Sequence, residues 1–354
     1  MNNAVNQIEI DKIGSATSPL NLSRTVSIVP SSATPRAGDV VIVRALTDNA
    51  TYNMLELPTG RLAKVNPGDV LAGVLGRRRA LKGFVGDVPE KLIAGDDLHL
   101  LNMGGVIGQC SGHHSSLNDA IKVEVLGLAT NGEGSIQNIA DVALPLRATL
   151  GSSAPLVVIA GACMNSGKTY AATEIIQLGT RAGLRVAAAK LSGIACLRDT
   201  LNMQDHGAIA TASFLDCGLP STVGANDLAP VAKAIIARLN ESAPDLIVIE
   251  LGDGILGGYS VESVFEDGEL RDAMSALVFC ASDYVAAWGG IELFRRRGIK
   301  VDLVAGSVTD SKMGEEYIER EFDVPAANVR RNGTKLFEKV RDKLRSVPRA
   351  VATG

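Results

Sequence analysis

The sequence predicts an α/β protein in two parts: a small β-rich barrel or sandwich, then a mostly parallel sheet flanked by helices. Three observations carry that expectation. Short β-rich runs separated by Gly-Asp and Pro-Gly-Asp turns follow one another from residue 38 to about residue 128. From about residue 152, runs that are apolar on both faces alternate with helix-spaced segments, the pattern of a parallel sheet covered by helices. Between the two lies "ALPLRATLGSSAP", with two prolines and a Gly-Ser-Ser cluster, which reads as a connector with a boundary near residue 150.

Residues 1–37 are rich in Ser, Asn, Thr and Pro and read as a flexible arm with one strand at "RTVSIVP". In the β-rich part, residues 38–148, strands are expected at "GDVVIVRAL", "GRLAKV", "PGDVLAGVLG", "GFVGDV", "GDDLHLLNMGGVIG" and "IKVEVLGLA". In the second part, residues 152–346, "PLVVIA", "LRVAAAK", "DLIVIE", "SALVFCA" and "KVDLVAG" give five strands. Helices are expected over residues 168–182, 204–215, 228–240, 283–297 and 312–322. The tail "TKLFEKVRDKLR" sets Leu336, Phe337, Val340 and Leu344 along one stripe, which predicts an amphipathic helix packed on the sheet.

Composition narrows the function. Of 354 residues, 46% are hydrophobic and 21% charged, enough to bury a sizeable core. A formal net charge of -4 argues against nucleic-acid binding as the main task. No uninterrupted apolar run reaches membrane-spanning length and the N-terminus lacks a signal layout, so no membrane association is expected. Five widely spaced cysteines without a Cys-x-x-Cys pair read as reduced thiols in a cytoplasmic protein.

The chemistry-bearing motif is "VVIAGACMNSGKTYAAT", where residues 162–169 read A-x-x-x-x-G-K-T. Between a buried strand and a helix, this is a Walker A phosphate loop, so the second part is expected to be a P-loop NTPase domain. Small residues let successive backbone N–H groups turn inward around phosphate oxygens, and the following helix aims its N-terminus at the same anion. The nucleotide-binding candidates are Ala162, Cys163, Met164, Asn165, Ser166, Gly167, Lys168, Thr169 and Tyr170. Lys168 would reach the β- and γ-phosphates, and the Thr169 hydroxyl would hold Mg²⁺.

Two later strand ends carry polar residues where an open parallel sheet places its ligand crevice. In "AAAKLSG", Lys190, Ser192 and Gly193 follow a strand, and in "LIVIELGDG", Glu250 ends a strand ahead of Asp253. Thr169 and Glu250 are the metal candidates, and Lys168, Lys190 and Glu250 the catalytic ones. Ser192, Gly193, Asp199 and Asp253 are candidates for the substrate side, and Asp205 and His206 follow nearby. Helix capping explains the two aspartates of that segment equally well.

The stretch "GACMNSGKTYAATEIIQLGTRAGLRVAAAKLSG" resembles the first βαβ unit of dethiobiotin synthetase, and "VIELGDG" is similar to its metal-binding loop. "RDTLNMQDHGA" resembles a segment of molybdopterin-guanine dinucleotide biosynthesis protein B. Both families belong to the SIMIBI branch of P-loop NTPases, and the resemblance spans roughly residues 155–325. It implies that Lys168 and Thr169 bind phosphate and Mg²⁺, that Lys190 faces the substrate or γ-phosphate, and that Glu250 supports the metal. It also implies a homodimer. The synthetase's acidic residue within the loop is absent, as is an Asn-Lys-x-Asp guanine motif, so ATP is expected rather than GTP.

Smaller signals have ordinary readings. Cys110, His113 and His114 in "GQCSGHHSS" suggest a metal only if a fourth ligand joins them; a solvated loop is the simpler account. The basic run from Arg77 to Lys82 reads as a guarded strand edge, and Arg295–Arg297 as cations suited to a helix C-terminus. The expected function is ATP- and Mg²⁺-dependent transfer of a γ-phosphoryl group to a small acidic metabolite, as kinase or ligase. The alternative is a nucleotide-hydrolysing switch or accessory protein that grips a partner through its β-rich part.

Overall fold

The computed structural model describes residues 6–346. The β-rich part holds β1 (Asn6–Glu9), β2 (Lys12–Ile13), β3 (Thr25–Val29), β4 (Ser31–Ser32), β5 (Val40–Ala45), β6 (Met54–Glu56) and β7 (Leu62–Lys64). It continues through β8 (Val70–Leu75), β9 (Arg78–Arg79), β10 (Phe84–Asp87), β11 (Leu92–Ile93), β12 (Asp97–Leu100), β13 (Val106–His113) and β14 (Lys122–Thr130). Because β12 pairs with both β13 and β14, the path β14–β5–β8–β13–β12 closes on itself as a small barrel. Alternation along β5 explains its unbroken apolar run. Val41 and Val43 fill the barrel with Leu71, Leu98 and Val123, while Val40 and Ile42 face outward into a second core.

Residues 6–32, read from sequence as part of an arm, are instead built into the sheet. β1 pairs with β3, β3 with β14, and β2 runs parallel to β8. Between them a 3₁₀ turn, Ser15–Leu20, buries Ser15, Ala16 and Thr17. The polar composition of this segment reflects backbone and side-chain hydrogen bonding at an edge, which composition alone does not distinguish from a loose tail.

The second part holds β15 (Leu156–Gly161), α1 (Lys168–Arg181), β16 (Val186–Ser192), α2 (Arg198–Asp205), β17 (Ala210–Ser213), α3 (Ala229–Asn240) and β18 (Leu246–Leu251). It ends with α4 (Glu262–Glu266), α5 (Gly268–Ala273), β19 (Met274–Cys280), α6 (Tyr284–Arg296), β20 (Leu303–Ala305), α7 (Lys312–Phe322) and α8 (Val329–Ser346). The six strands are parallel in the order β17–β16–β18–β15–β19–β20. Val157 and Ile159 of β15 pack under α1 and α8 with Ile175, Ile176 and Phe337, while Val158 and Ala160 face α3 and α6. Both faces are therefore covered, and the strand runs read as continuous apolar segments. This is a P-loop fold preceded by a β-rich part.

One helix expectation is corrected. The helix over residues 204–215 is absent; α2 stops at Asp205 and residues 210–213 form β17, paired with β16 from Ala187 to Lys190. Gly207, at φ +101°, ends the helix, and "ATAS" then gains a ladder on the sheet edge that helical propensity cannot outweigh. Arg78 is corrected as well. Instead of guarding a solvated edge it is 5% exposed, its guanidinium over the rings of Tyr52 and Phe84 and donating to the Leu101 carbonyl. Arg295 and Arg296 pair with Glu292 at the end of α6.

The two parts share one core. Ile10, Ile28, Val74 and Val106 from the barrel side belong to the same apolar cluster as Phe214, Ile235 and Phe279. Asn102 Nδ2 donates to the Ala195 carbonyl at 2.7 Å, and the Arg79 amide donates to the Tyr259 hydroxyl at 3.2 Å. Among the described residues no helix is long and apolar enough to cross a membrane.

Candidate functional site

The site begins where β15 runs into α1. Asn165 at φ +64° and Gly167 at φ +103° turn the loop, and a side-chain carbon on Gly167 would lie only 3.0 Å from the Gly306 Cα after β20. α1 starts at Lys168 with no side-chain cap on its N-terminal amides, so an anion is the group that end can take. Lys168 is 6% exposed and its Nζ donates to the Cys163 carbonyl at 2.8 Å, folded back onto its own loop. Burial, and then the neighbouring Lys190, hold the Lys168 pKa below the usual lysine range.

Strand register delivers the next pair. Lys190 on β16 lies directly beside Glu250 on β18, so both side chains project from the same face of the sheet. Lys190 Nζ donates to Glu250 Oε1 at 2.8 Å and lies 3.0 Å from Asp199 Oδ2. Thr169 Oγ1 donates to the same Glu250 oxygen at 2.8 Å. Burial alone would lower the Lys190 pKa, but Asp199 and Glu250 reverse that and hold the ammonium above its usual range. Asp199 answers in kind: against burial, Lys190 holds its carboxyl below the usual carboxylate range.

Glu250 is 1% exposed, and its Oε2, like the Ser166 hydroxyl, is buried without a hydrogen-bond partner among the described residues. A buried carboxylate oxygen left unpaired is costly. Together with the Thr169 hydroxyl it makes an all-oxygen set of the kind Mg²⁺ takes. The residues present therefore fit the ion expected from the sequence.

A cavity of about 1080 Å³ opens over this cluster. On the loop side it is lined by Met164, Asn165, Gly167, Lys168, Thr169 and Tyr170, with Lys190, Glu250 and Asp253 behind them. The far wall is α2, through Arg198, Asp199, Asn202, Asp205 and His206, and the β6–β7 hairpin, through Glu56, Thr59, Gly60 and Leu62. Glu56 fixes that wall. Its buried Oε2 accepts from the Leu197 amide at 2.7 Å, from Cys196 Sγ at 3.1 Å and from the Ser15 hydroxyl, so it holds the start of α2 against the barrel. Burial and the Glu56 charge push the Cys196 thiol well above its ordinary pKa.

The predicted residues divide, and of the loop residues Ala162, Cys163 and Ser166 do not line the cavity. Lys168, Thr169, Lys190, Asp199, Glu250 and Asp253 are brought together. Ser192 and Gly193, expected on the substrate side, do not line the cavity: Ser192 Oγ donates to the Gly252 carbonyl at 3.1 Å, and the Gly193 amide donates to Thr222 Oγ1 at 3.1 Å. They anchor the neighbouring loop. Glu56, Thr59, Leu62, Arg198 and Asn202 were not legible as site residues, because nothing in "MLELPTGRL" marks a hairpin that returns to a distant helix. Cys110, His113 and His114 do not gather: His113 Nε2 lies 3.2 Å from Asp119, His114 Nδ1 is 2.8 Å from Ser116 Oγ, and no metal-holding group of three or more exists among the described residues.

No protein-family model matches the sequence, and no curated protein matches it. Solved structures do. The chain is similar to the signal recognition particle receptor FtsY from Elizabethkingia anophelis, at 12% identity and a TM-score of 0.38, over 57% of this chain and 68% of that one. It is similar to the signal recognition particle 54 kDa protein from Aeropyrum pernix K1 in complex with GDP, at 13% identity and a TM-score of 0.37. That likeness covers 55% of this chain and half of the other. A DUF1611 family protein from Anabaena variabilis is similar at 13% identity and a TM-score of 0.42, over 60% of this chain and 66% of that one. Neither dethiobiotin synthetase nor the molybdopterin-guanine dinucleotide protein is among these three. With TM-scores below 0.5, the P-loop character rests on this chain's own strand, loop and helix.

Proposed function

We propose that the protein is a Mg²⁺- and ATP-dependent enzyme that moves the γ-phosphoryl group to a small acidic metabolite, by phosphorylation or ligase-type activation. The observation that carries this reading is the reach of the cavity beyond the phosphate loop. A binding-only or slow-hydrolysis site needs room for a nucleotide, whereas this one continues past the loop to a wall built by α2 and the β6–β7 hairpin. At about 1080 Å³ it is as large as the largest ordinary ligand pockets.

Each residue then has a task. Lys168 leaves the Cys163 carbonyl for the β- and γ-phosphates, and the uncapped α1 amides take the rest of that charge. Thr169 and Glu250 would hold Mg²⁺, which when bound neutralises charge on the phosphate oxygens. Lys190, fixed between Asp199 of α2 and Glu250 of β18, lies between the phosphate loop and the far wall. Arg198 lines the cavity on its α2 wall with no ion pair among the described residues, and it suits an acceptor carboxylate.

Thermal unfolding in Mg²⁺ with ATP, ADP, GTP or no nucleotide, beside Lys168→Ala, tests the first half. A nucleotide at a hundred times its dissociation constant should add about 2.7 kcal/mol of stability that the variant loses. Phosphorus NMR of ATP with a panel of small mono- and dicarboxylic acids tests the second. Binding without transfer to any of them, with hydrolysis accelerated instead by a protein, would replace this reading with that of a nucleotide-dependent switch.

A further inference from the structure

We propose that Asp253 is the general base of this site, taking the proton of the attacking nucleophile, and that its loop holds it in a left-handed backbone conformation for that purpose. The inference rests on the enzymatic reading above in its phosphorylation form, where the nucleophile is a hydroxyl or water, and adds the one role that form leaves open.

Asp253 has φ +61°, a region an aspartate adopts at some energetic cost and a glycine adopts freely. The residues on either side are glycines, and each is there for contact. A side-chain carbon on Gly252 would run into the Ser192 carbonyl oxygen, and one on Gly254 would come within 2.5 Å of the Ala162 carbonyl oxygen. The loop is thus wedged between the end of β16 and the first residue of the phosphate loop. The Ser192 hydroxyl donates to the Gly252 carbonyl at 3.1 Å, and the Ile255 amide to the Gly161 carbonyl at 2.9 Å. In a Gly-x-Gly loop held at both ends, the middle position would be least strained as a third glycine. An aspartate stands there, on the cavity wall beside Lys168.

Of the carboxylates that line the cavity, Asp205 stands at the end of α2 on the far wall, and three others are committed. Glu250 takes the Thr169 hydroxyl and Lys190, Asp199 takes Lys190, and Glu56 takes three donors at the start of α2. Asp253 makes no ion pair within 4 Å among the described residues. The charged and titratable groups that face it are Lys168 from α1, Lys190 from β16, Arg78 from β9 and the Tyr259 phenol. Burial outweighs the cations and lifts the carboxyl above its ordinary value, the direction that suits a proton acceptor.

The step balances. As the acceptor O–H, or water in the basal reaction, attacks the γ-phosphorus, its proton passes to the Asp253 carboxylate. The new O–P bond forms, the bond to the β–γ bridging oxygen breaks, and ADP departs with that electron pair. Asp253 then releases the proton to solvent.

The test uses the full chain, ATP, Mg²⁺ and water as nucleophile, comparing the natural protein with Asp253→Asn and Asp253→Gly. Both variants should keep the ATP-dependent thermal shift and lose turnover by about 10²–10⁴-fold. Asp253→Gly should unfold no earlier than the natural protein, because it relaxes the backbone. The acidic limb of the natural pH–rate profile should be absent in Asp253→Asn. Turnover of Asp253→Gly within about threefold of natural would overturn the proposal while leaving the enzymatic reading standing. Rescue of either variant by raised Mg²⁺ would overturn it too, by making Asp253 a metal ligand. A natural protein that binds ATP but turns over neither with water nor with any small acid removes the enzymatic reading, and the base with it.

Discussion

At the scale of single residues, the site is organised around one oxygen. Glu250 Oε1 accepts from both Thr169 and Lys190, and Lys190 is shared with Asp199. Lys190 is therefore pinned from two sides at the junction of the phosphate loop and α2. Replacing Asp199 by Asn should cost about 1–2 kcal/mol at neutral pH, less than breaking a fully buried pair, because Lys190 keeps Glu250 and Asp199 is part-exposed. The sign of the pH dependence follows from the lowered carboxyl. Its contribution is complete above the unfolded aspartate value, near 4, and is lost as pH falls through the still lower folded value. Urea unfolding of the two proteins between about pH 7 and pH 3 should show the gap narrowing only in the acidic part. A gap independent of pH would mean that Asp199 contributes shape and not charge.

At the scale of elements, the β6–β7 hairpin and α2 act as one piece. Gly60 in the hairpin turn sits against the Leu201 side chain, and Glu56 holds the Leu197 amide at the helix start. A buried carboxylate with three donors is more than a tether. Removing it leaves the Leu197 N–H and the Ser15 hydroxyl without their acceptor. Glu56→Ala should destabilise the fold by about 2–3 kcal/mol, and Glu56→Gln by less, since the amide oxygen still accepts. Loosening α2 displaces Asp199 but not the phosphate loop. Calorimetric titration with ATP should therefore give a dissociation constant close to natural, while turnover with an acceptor falls. A large loss of nucleotide affinity would place Glu56 in the phosphate site instead.

At the scale of the whole molecule, barrel and P-loop sheet are joined through a common core rather than a thin contact. Ile28, Val74 and Val106 belong to one apolar cluster with Leu215, Ile235 and Phe279. The expected behaviour is one cooperative unfolding transition. The single tryptophan, Trp288 on α6, reports the P-loop side, and far-ultraviolet circular dichroism reports both sheets. Their denaturant midpoints should coincide, and saturating nucleotide should move both by the same amount. Two separated transitions, only one of them shifted by nucleotide, would show that the barrel is energetically independent.

The sequence by itself determined whatever is written in local pattern. Five of the six parallel strands, the GKT turn with its following helix, and the stripe of Leu336, Phe337 and Val340 in α8 were legible because burial on one or both faces imposes a period. That Lys168, Thr169, Lys190 and Glu250 would stand close together was legible because the loop and the strand ends limit where their side chains project. Only the tertiary structure decided the rest. Residues 210–213 became β17 because an unpaired edge of β16 was available to them, and residues 6–32 joined the sheet because β14 and β8 offered ladders. Arg78 went inward because Tyr52 and Phe84 cover it from other strands. Glu56 and Asp199 came to line one cavity across more than a hundred intervening residues. Pairing partners and cavity walls are contacts between distant segments, and a single sequence records its local preferences far more directly than the partners those preferences will meet.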